Sequence, residues 1–132
     1  MAALQMIKQG RGGRIIGACS VTGKQAWPEI SVYSSTKFAV RGLTQAAAQE
    51  LGKHNITVNA YAPGPIDTEM LADIGRNVST KDEFYSRKSN VAALGRMASP
   101  EDIAGIVSYL AGPDGKNVTG QTIIVDGGSV FD

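Results

Sequence analysis

Cysteine is nearly absent. Cys19 is the only one in the chain and sits inside an apolar run, so no internal disulfide forms and a reducing compartment is expected. A buried, inert thiol is the plain reading of it. Charge of one sign is lacking as well: 13 Lys plus Arg stand against 12 Asp plus Glu, a net charge of +1, with no basic stripe or acidic tail. That balance offers nothing to nucleic acid or to an anionic lipid surface. No apolar run approaches the roughly eighteen residues of a membrane span, and Met1 to Lys8 has neither the basic region nor the apolar stretch of a leader. A cytoplasmic protein with no membrane partner is expected. Asn-x-Ser/Thr sequons begin at Asn55, Asn77 and Asn117, and without a secretion signal they would go unused. The single histidine, His54, follows a helix end in Gly52-Lys53-His54-Asn55 and has no partner for metal or acid/base work, so it reads as a solvated capping residue.

What remains is an ordinary globular composition: 132 residues, 42% hydrophobic, with 16 glycines. One domain over residues 1–132 is expected. Ala2 to Gln9 reads as the last turns of a helix stopped by Gly10, with Gly12 and Gly13 in the loop that follows. Arg14 to Cys19 is a short apolar run bounded by glycine, the pattern of a strand buried on both faces of a parallel sheet. From Ser34 to about Leu51, Phe38, Leu43 and Ala47 recur at helical spacing, and Gly52 is placed to cap the end. Ile56 to Ala62 alternates β-branched and small residues and stops at Pro63-Gly64-Pro65, which predicts a second strand. Residues 67–97 show no sustained period and suggest one or two short helices on a mobile segment. Ser99-Pro100-Glu101-Asp102 is an N-cap, a proline at the first helical position and two acids in the first turn; Ile103, Ile106, Val107 and Leu110 then form an apolar face up to Gly112-Pro113. Thr122 to Val125 is a third strand, closed by Asp126-Gly127-Gly128. Strands alternating with helices mean parallel α/β layers, yet three strands make only half of a doubly wound sheet.

The chemistry gathers at the start of the long helix. Tyr33 and Lys37 are four residues apart in Tyr33-Ser34-Ser35-Thr36-Lys37 and so project from one helix face. An ammonium beside a phenol favours the phenolate, and such a phenol can serve as general acid toward a carbonyl or as base toward an alcohol. A Tyr and Lys one turn apart are common on helix surfaces, and the pair gains weight only from its setting. Ser20 lies just past a buried strand and Tyr33 opens the next helix, so both fall at the carboxyl edge of the sheet, where open α/β folds bind ligands.

The segment Arg14 to Val40, with Gly-Arg-Ile-Ile-x-x-x-Ser ahead of a loop and Tyr-Ser-x-x-Lys-x-Ala after it, resembles the active-site segment of the short-chain dehydrogenases/reductases. The match continues through Ile56-Thr57-Val58-Asn59, Pro63-Gly64-Pro65-Ile66-Asp67-Thr68, Ser99-Pro100-Glu101-Asp102-Ile103-Ala104, Thr119-Gly120-Gln121 and Val125-Asp126-Gly127-Gly128, covering nearly the whole chain in order. Ala18-Cys19-Ser20 together with the helix sequence from Val32 to Glu50 looks most like the diacetyl/acetoin reductase and butanediol dehydrogenase branch. The resemblance implies the second half of a Rossmann-type doubly wound parallel sheet, three parallel strands with flanking helices, the N-terminal half missing. It implies that Tyr33 donates the proton, that Lys37 bonds the nicotinamide ribose and assists Tyr33, and that Ser20 orients the substrate carbonyl. Pro63 and Gly64 would shape a turn from which Ile66 and Thr68 hold the nicotinamide carboxamide of NAD or NADP. Trp27, between Ser20 and Tyr33, is expected either to line the substrate pocket or to pack under its loop. Met70, Leu71, Phe84 and Tyr85 fall where the family keeps a substrate lid, although a short amphipathic helix would explain them equally well.

The departures matter too. The family's Gly-rich phosphate turn, its NAD/NADP selector, its Asn-Ala-Gly segment and the asparagine of the catalytic tetrad would all lie before Met1. Gly10 to Gly13 precedes a strand rather than joining a strand to a helix, so it is a loop and not a displaced phosphate site. In structural terms alone, Ser20 would be a helix or turn cap and Thr68 an N-cap. The expected function is reduction of a small ketone or diketone, or oxidation of a secondary alcohol, in a homodimer or homotetramer. The rival expectation is a truncated, catalytically incomplete fragment or an oligomerisation module.

Overall fold

The computed structural model describes the backbone of residues 1–75 and 80–132. Helix α1 spans Ala2–Gln9 and ends on Gly10, whose left-handed backbone (φ 68°) lets its N–H reach the carbonyls of Ile7 and Met6. Strand β1 (Gly13–Ala18) leads into a single 3-10 turn, Val21–Gly23. Helix α2 (Ser31–Leu51) is the longest element. Strand β2 (Ile56–Pro63) follows, then α3 (Glu69–Gly75), α4 (Lys81–Val91), α5 (Pro100–Ala111) and strand β3 (Thr122–Val125). The three strands form one parallel sheet in the order β1-β2-β3, with Ile15 opposite Val58 and Tyr61 opposite Ile123. This is the expected half of a doubly wound sheet.

Strand alternation explains the packing. Ile56 and Val58 face α1 and α2, where Met6, Ile7, Ala47, Ala48 and Leu51 close over them, and Ile15 adds the same face of β1. Ala60 and Ala62 continue that face toward the carboxyl edge and pack with Cys19, Val40 and Ile124. Their small size lets α2 sit close to the sheet at this end, through Val40. Ile56 and Leu110 are the largest fully buried apolar side chains, each contributing about 1.5–3 kcal/mol by leaving water. On β2 the buried Asn59 gives its Nδ2 to the Val118 carbonyl (2.7 Å) and accepts the Gln121 N–H (3.1 Å), which locks the approach to β3. Helix α5 carries a full capping box: Ser99 accepts the Asp102 N–H while the Asp102 carboxylate accepts the Ser99 N–H.

Several expectations need correction. The first strand runs over 13–18 rather than 14–19, and it is half-buried rather than sealed on both faces; among the described residues it pairs with β2 alone. Cys19 lies just beyond it and is buried as expected, its N–H donating to the Tyr61 carbonyl at 2.8 Å. Helix α2 begins at Ser31, so Tyr33 is inside its first turn instead of opening it. Gly52 keeps helical dihedrals, and the chain runs on through a 3-10 turn, Gly52–His54, to Asn55, whose left-handed φ of 56° makes the stop. His54 is therefore a half-buried turn residue rather than a free cap. The sequon at Asn77 lies outside the described residues. Among the described residues, no helix is long and apolar enough to cross a membrane.

Candidate active site

The sheet ends at Ala18 and the next residues turn sharply. Ser20 is the N-cap of the Val21–Gly23 turn, and its Oγ accepts the Thr22 N–H at 3.2 Å. The turn-cap reading of Ser20 is thus realised, and it leaves the hydroxyl hydrogen available to donate elsewhere. Tyr33 and Lys37 stand one turn apart on α2, with the Lys37 ammonium 5.4 Å from the centre of the Tyr33 ring. That ammonium also donates to the Ala18 carbonyl at 3.1 Å, which ties the helix to the end of β1 two residues before Ser20. Tyr33 is 47% exposed, and among the described residues its hydroxyl has no hydrogen-bond partner. A phenol with no hydrogen-bond partner among the described residues, one turn from an ammonium that reaches the carboxyl end of a parallel strand, can give or take a proton from a carbonyl or alcohol set against it.

The loop after β2 forms the opposite wall. Gly64 is required there by close approach: a Cβ on it would stand 2.7 Å from the Cβ of Asp126, at the end of β3. Asp126 in turn accepts the N–H groups of Gly128 (2.8 Å) and Val130 (2.7 Å), which folds the segment after β3 back toward the site. Ile66 bridges to Ala98, and Thr68 Oγ1 donates to the Ile66 carbonyl and accepts the Leu71 N–H, both at 3.4 Å. The N-cap reading of Thr68 is therefore present but at the long limit of a hydrogen bond, so its hydroxyl is loosely held. The residues present fit a nicotinamide: Lys37 keeps two of its three donors beyond the Ala18 carbonyl, and the Gly64 approach leaves the loop backbone close to the sheet edge.

A cleft of about 330 Å³ lies between the two loops, lined by Gln25, Trp27, Pro65, Val91, Ser129 and Val130. Of its lining, sequence reasoning picked out Trp27 and, within the Pro-Gly-Pro turn, Pro65. Gln25, Val91, Ser129 and Val130 were missed, and only the position of Gln25 between Ser20 and Tyr33 was a usable signal. Lys24, at the end of the serine turn, pairs with Asp132 and fastens the post-β3 segment to the same wall. Glu29, just before α2, holds a left-handed φ of 68°, a strained backbone beside the site of the kind that clusters at functional loops. Leu71 is half-buried on α3; the side chains of Met70, Phe84 and Tyr85 lie outside the described residues.

The fold agrees with the comparisons. Residues 1–130 match the family described as Enoyl-(Acyl carrier protein) reductase. The chain belongs to the short-chain dehydrogenase/reductase family. It is 53% identical over 132 residues to a short-chain dehydrogenase/reductase of Armillaria gallica, covering 99% of this chain and 51% of that protein. It is 48% identical over 134 residues to the diacetyl reductase [(S)-acetoin forming] of Staphylococcus aureus, covering 96% of this chain and 51% of that protein. Among solved structures it superposes on 4-hydroxyisoleucine dehydrogenase complexed with NADH with a TM-score of 0.87 and 32% identity, over 97% of this chain and 51% of that one. The chain thus spans about half the length of the curated relatives it matches.

Proposed function

We propose that the protein carrying this chain is a nicotinamide-dependent oxidoreductase that reduces a small ketone or diketone, or oxidises the corresponding secondary alcohol, with Ser20, Tyr33 and Lys37 at its centre. The observation that carries this reading is the unbonded, half-exposed Tyr33 hydroxyl with the Lys37 ammonium set against its ring. The 48% identity to a diacetyl reductase supports the small-diketone class.

Ser20 would donate its hydroxyl hydrogen to the substrate oxygen, since the Thr22 N–H engages one of its lone pairs and leaves that hydrogen free to donate. Tyr33 would pass its proton to that same oxygen as the carbonyl becomes an alcohol. Lys37 would steady the phenolate left behind and bond the ribose with its remaining hydrogens. Pro63 and Gly64 set the turn from which Ile66 and Thr68 would hold the carboxamide of NAD or NADP, and Trp27 would line the substrate cleft. When bound, the nicotinamide supplies the hydride for the carbonyl carbon. The NADH-bound relative supports a nicotinamide cofactor at this site.

A homo-oligomer in the cytoplasm completes the proposal. Leu4 on α1 is 71% exposed and Leu43 on α2 is 70% exposed, apolar area that a second copy would cover. The test is diacetyl-dependent oxidation of NADH and of NADPH by the purified protein, followed at the nicotinamide absorbance. Turnover supports the reading. A folded protein without turnover on diacetyl or acetoin favours the rival one, a catalytically incomplete segment.

A further inference from the structure

The serine turn and the tyrosine-lysine helix come from different parts of the chain, so something must fix their spacing. Among the contacts between them, the tightest approach to Gly23 from the helix is the backbone of Lys37. A Cβ built on Gly23 would lie 2.7 Å from the Lys37 carbonyl oxygen, 2.9 Å from its carbonyl carbon and 2.5 Å from Cys19 Sγ. Gly23 is buried, and its N–H closes the turn on the Ser20 carbonyl at 2.9 Å. The Cys19 thiol, also buried, donates to the same Lys37 carbonyl at 3.3 Å. One residue further back, the Ala18 carbonyl accepts the Lys37 ammonium. Residues 18–23 thus grip Lys37 at its ammonium and at its main-chain carbonyl.

We propose that Gly23 and Cys19 are positioning residues, which key the Ser20 turn onto the backbone of Lys37 and so set the distance between Ser20 and the Tyr33–Lys37 pair. The inference rests on the catalytic reading of those three residues. Helix backbone cannot yield as a flexible side chain can, so any side chain at position 23 must push the turn away from α2. Neither residue needs to touch substrate for this to slow the reaction, because misplacement of a reacting group by about 1 Å can cost on the order of 100-fold in rate.

The experiment compares Gly23→Ala, Cys19→Ser, Cys19→Ala and the double variant Gly23→Ala/Cys19→Ala in the intact protein. The control is Gly42→Ala, on the same helix with open space around it. In Gly23→Ala, kcat is expected to fall roughly 10- to 100-fold while KM for the carbonyl substrate stays within about threefold. Gly42→Ala stays at the wild-type rate. Cys19→Ser, which keeps a donor for the Lys37 carbonyl, should remain within about twofold of wild type, and Cys19→Ala should fall further. The double variant should stay as slow as Gly23→Ala, since the Lys37 backbone still blocks the methyl. A Gly23→Ala rate within about twofold of wild type, or recovery in the double variant, overturns the proposal. Should Gly23→Ala fail to fold, the cysteine pair decides, and equal rates for Cys19→Ser and Cys19→Ala overturn it. Crystal structures of the cysteine variants and of any folded glycine variant give a readout that needs no turnover. If the wild type itself is inactive on carbonyls, the functional reading fails separately, while an unchanged spacing between residues 20–23 and Lys37 in Gly23→Ala or Cys19→Ala would sink the inference.

Discussion

The Lys37 ammonium stands 5.4 Å from the centre of the Tyr33 ring while donating to the Ala18 carbonyl at 3.1 Å. One side chain therefore joins the helix that carries the phenol to the strand end that carries the serine turn. This connection makes the site a property of the fold rather than of a loop. The cation is held near the ring by a backbone acceptor, in the range where a cation and an aromatic face attract.

Lys37→Met should remove both functions together. We expect kcat/KM to fall by about 100-fold or more, with NADH affinity weakened if the proposed donor to the ribose is lost with it. Lys37→Arg should not match the wild type, because the longer, planar guanidinium fork sets its donors in a different geometry from the compact ammonium that reaches Ala18. Initial rates at varied NADH, with cofactor affinity by calorimetry, check both halves of the prediction.

Gly64→Ala should disturb the opposite wall. The added methyl would sit 2.7 Å from the Asp126 Cβ, and overpacking of this kind costs about 1–3 kcal/mol. The loop carrying Ile66 and Thr68 would be displaced, so KM for the cofactor should rise more than kcat falls. Thermal melts and cofactor titrations of the same variant separate the two effects.

Acid should loosen the half of the molecule that follows the second strand. The Asp102 carboxyl is held well below the usual carboxylate range by hydrogen bonds from the Arg96 guanidinium and the Ser99 backbone. Glu101 is lowered by its own backbone N–H and by Ser99, and Asp132 by Lys24. Groups depressed on folding stabilise fully above their unfolded values, near 4, and lose that contribution as pH falls through the folded ones. Melting temperature should therefore be flat between about pH 7 and 5 from these groups and decline below about 4. Asp102→Asn should lower the plateau and flatten the acid limb, modestly, because the Arg96 pair is exposed and screened. An unchanged acid limb in Asp102→Asn would remove this explanation.

Much of this was legible in the sequence, for local reasons. Gly10, the Pro-Gly-Pro turn at residues 63–65 and the Ser99 cap mark element ends because each satisfies a backbone requirement within a few residues. Ser20, Tyr33 and Lys37 could be placed at the sheet edge from strand and helix signals alone. The start of α2 was not readable, since Ile30 at its N-cap makes no side-chain capping bond. The cleft was hidden for a different reason: Gln25 and Trp27 meet Ser129 and Val130 only because Asp126 folds the end of the chain back, a long-range contact with no local pattern. The grip of Cys19 and Gly23 on Lys37 was likewise invisible, because a buried thiol and a loop glycine look alike wherever they occur.

The central claim is that the Tyr33 hydroxyl carries the proton. Its oxygen bonds nothing among the described residues, so Tyr33→Phe leaves packing and melting temperature as they are. The deciding measurement is kcat for diacetyl reduction at saturating NADH in wild type and Tyr33→Phe. The account predicts a fall of roughly 100- to 10,000-fold with an unchanged melt. A Tyr33→Phe enzyme that turns over within about twofold of wild type would contradict it.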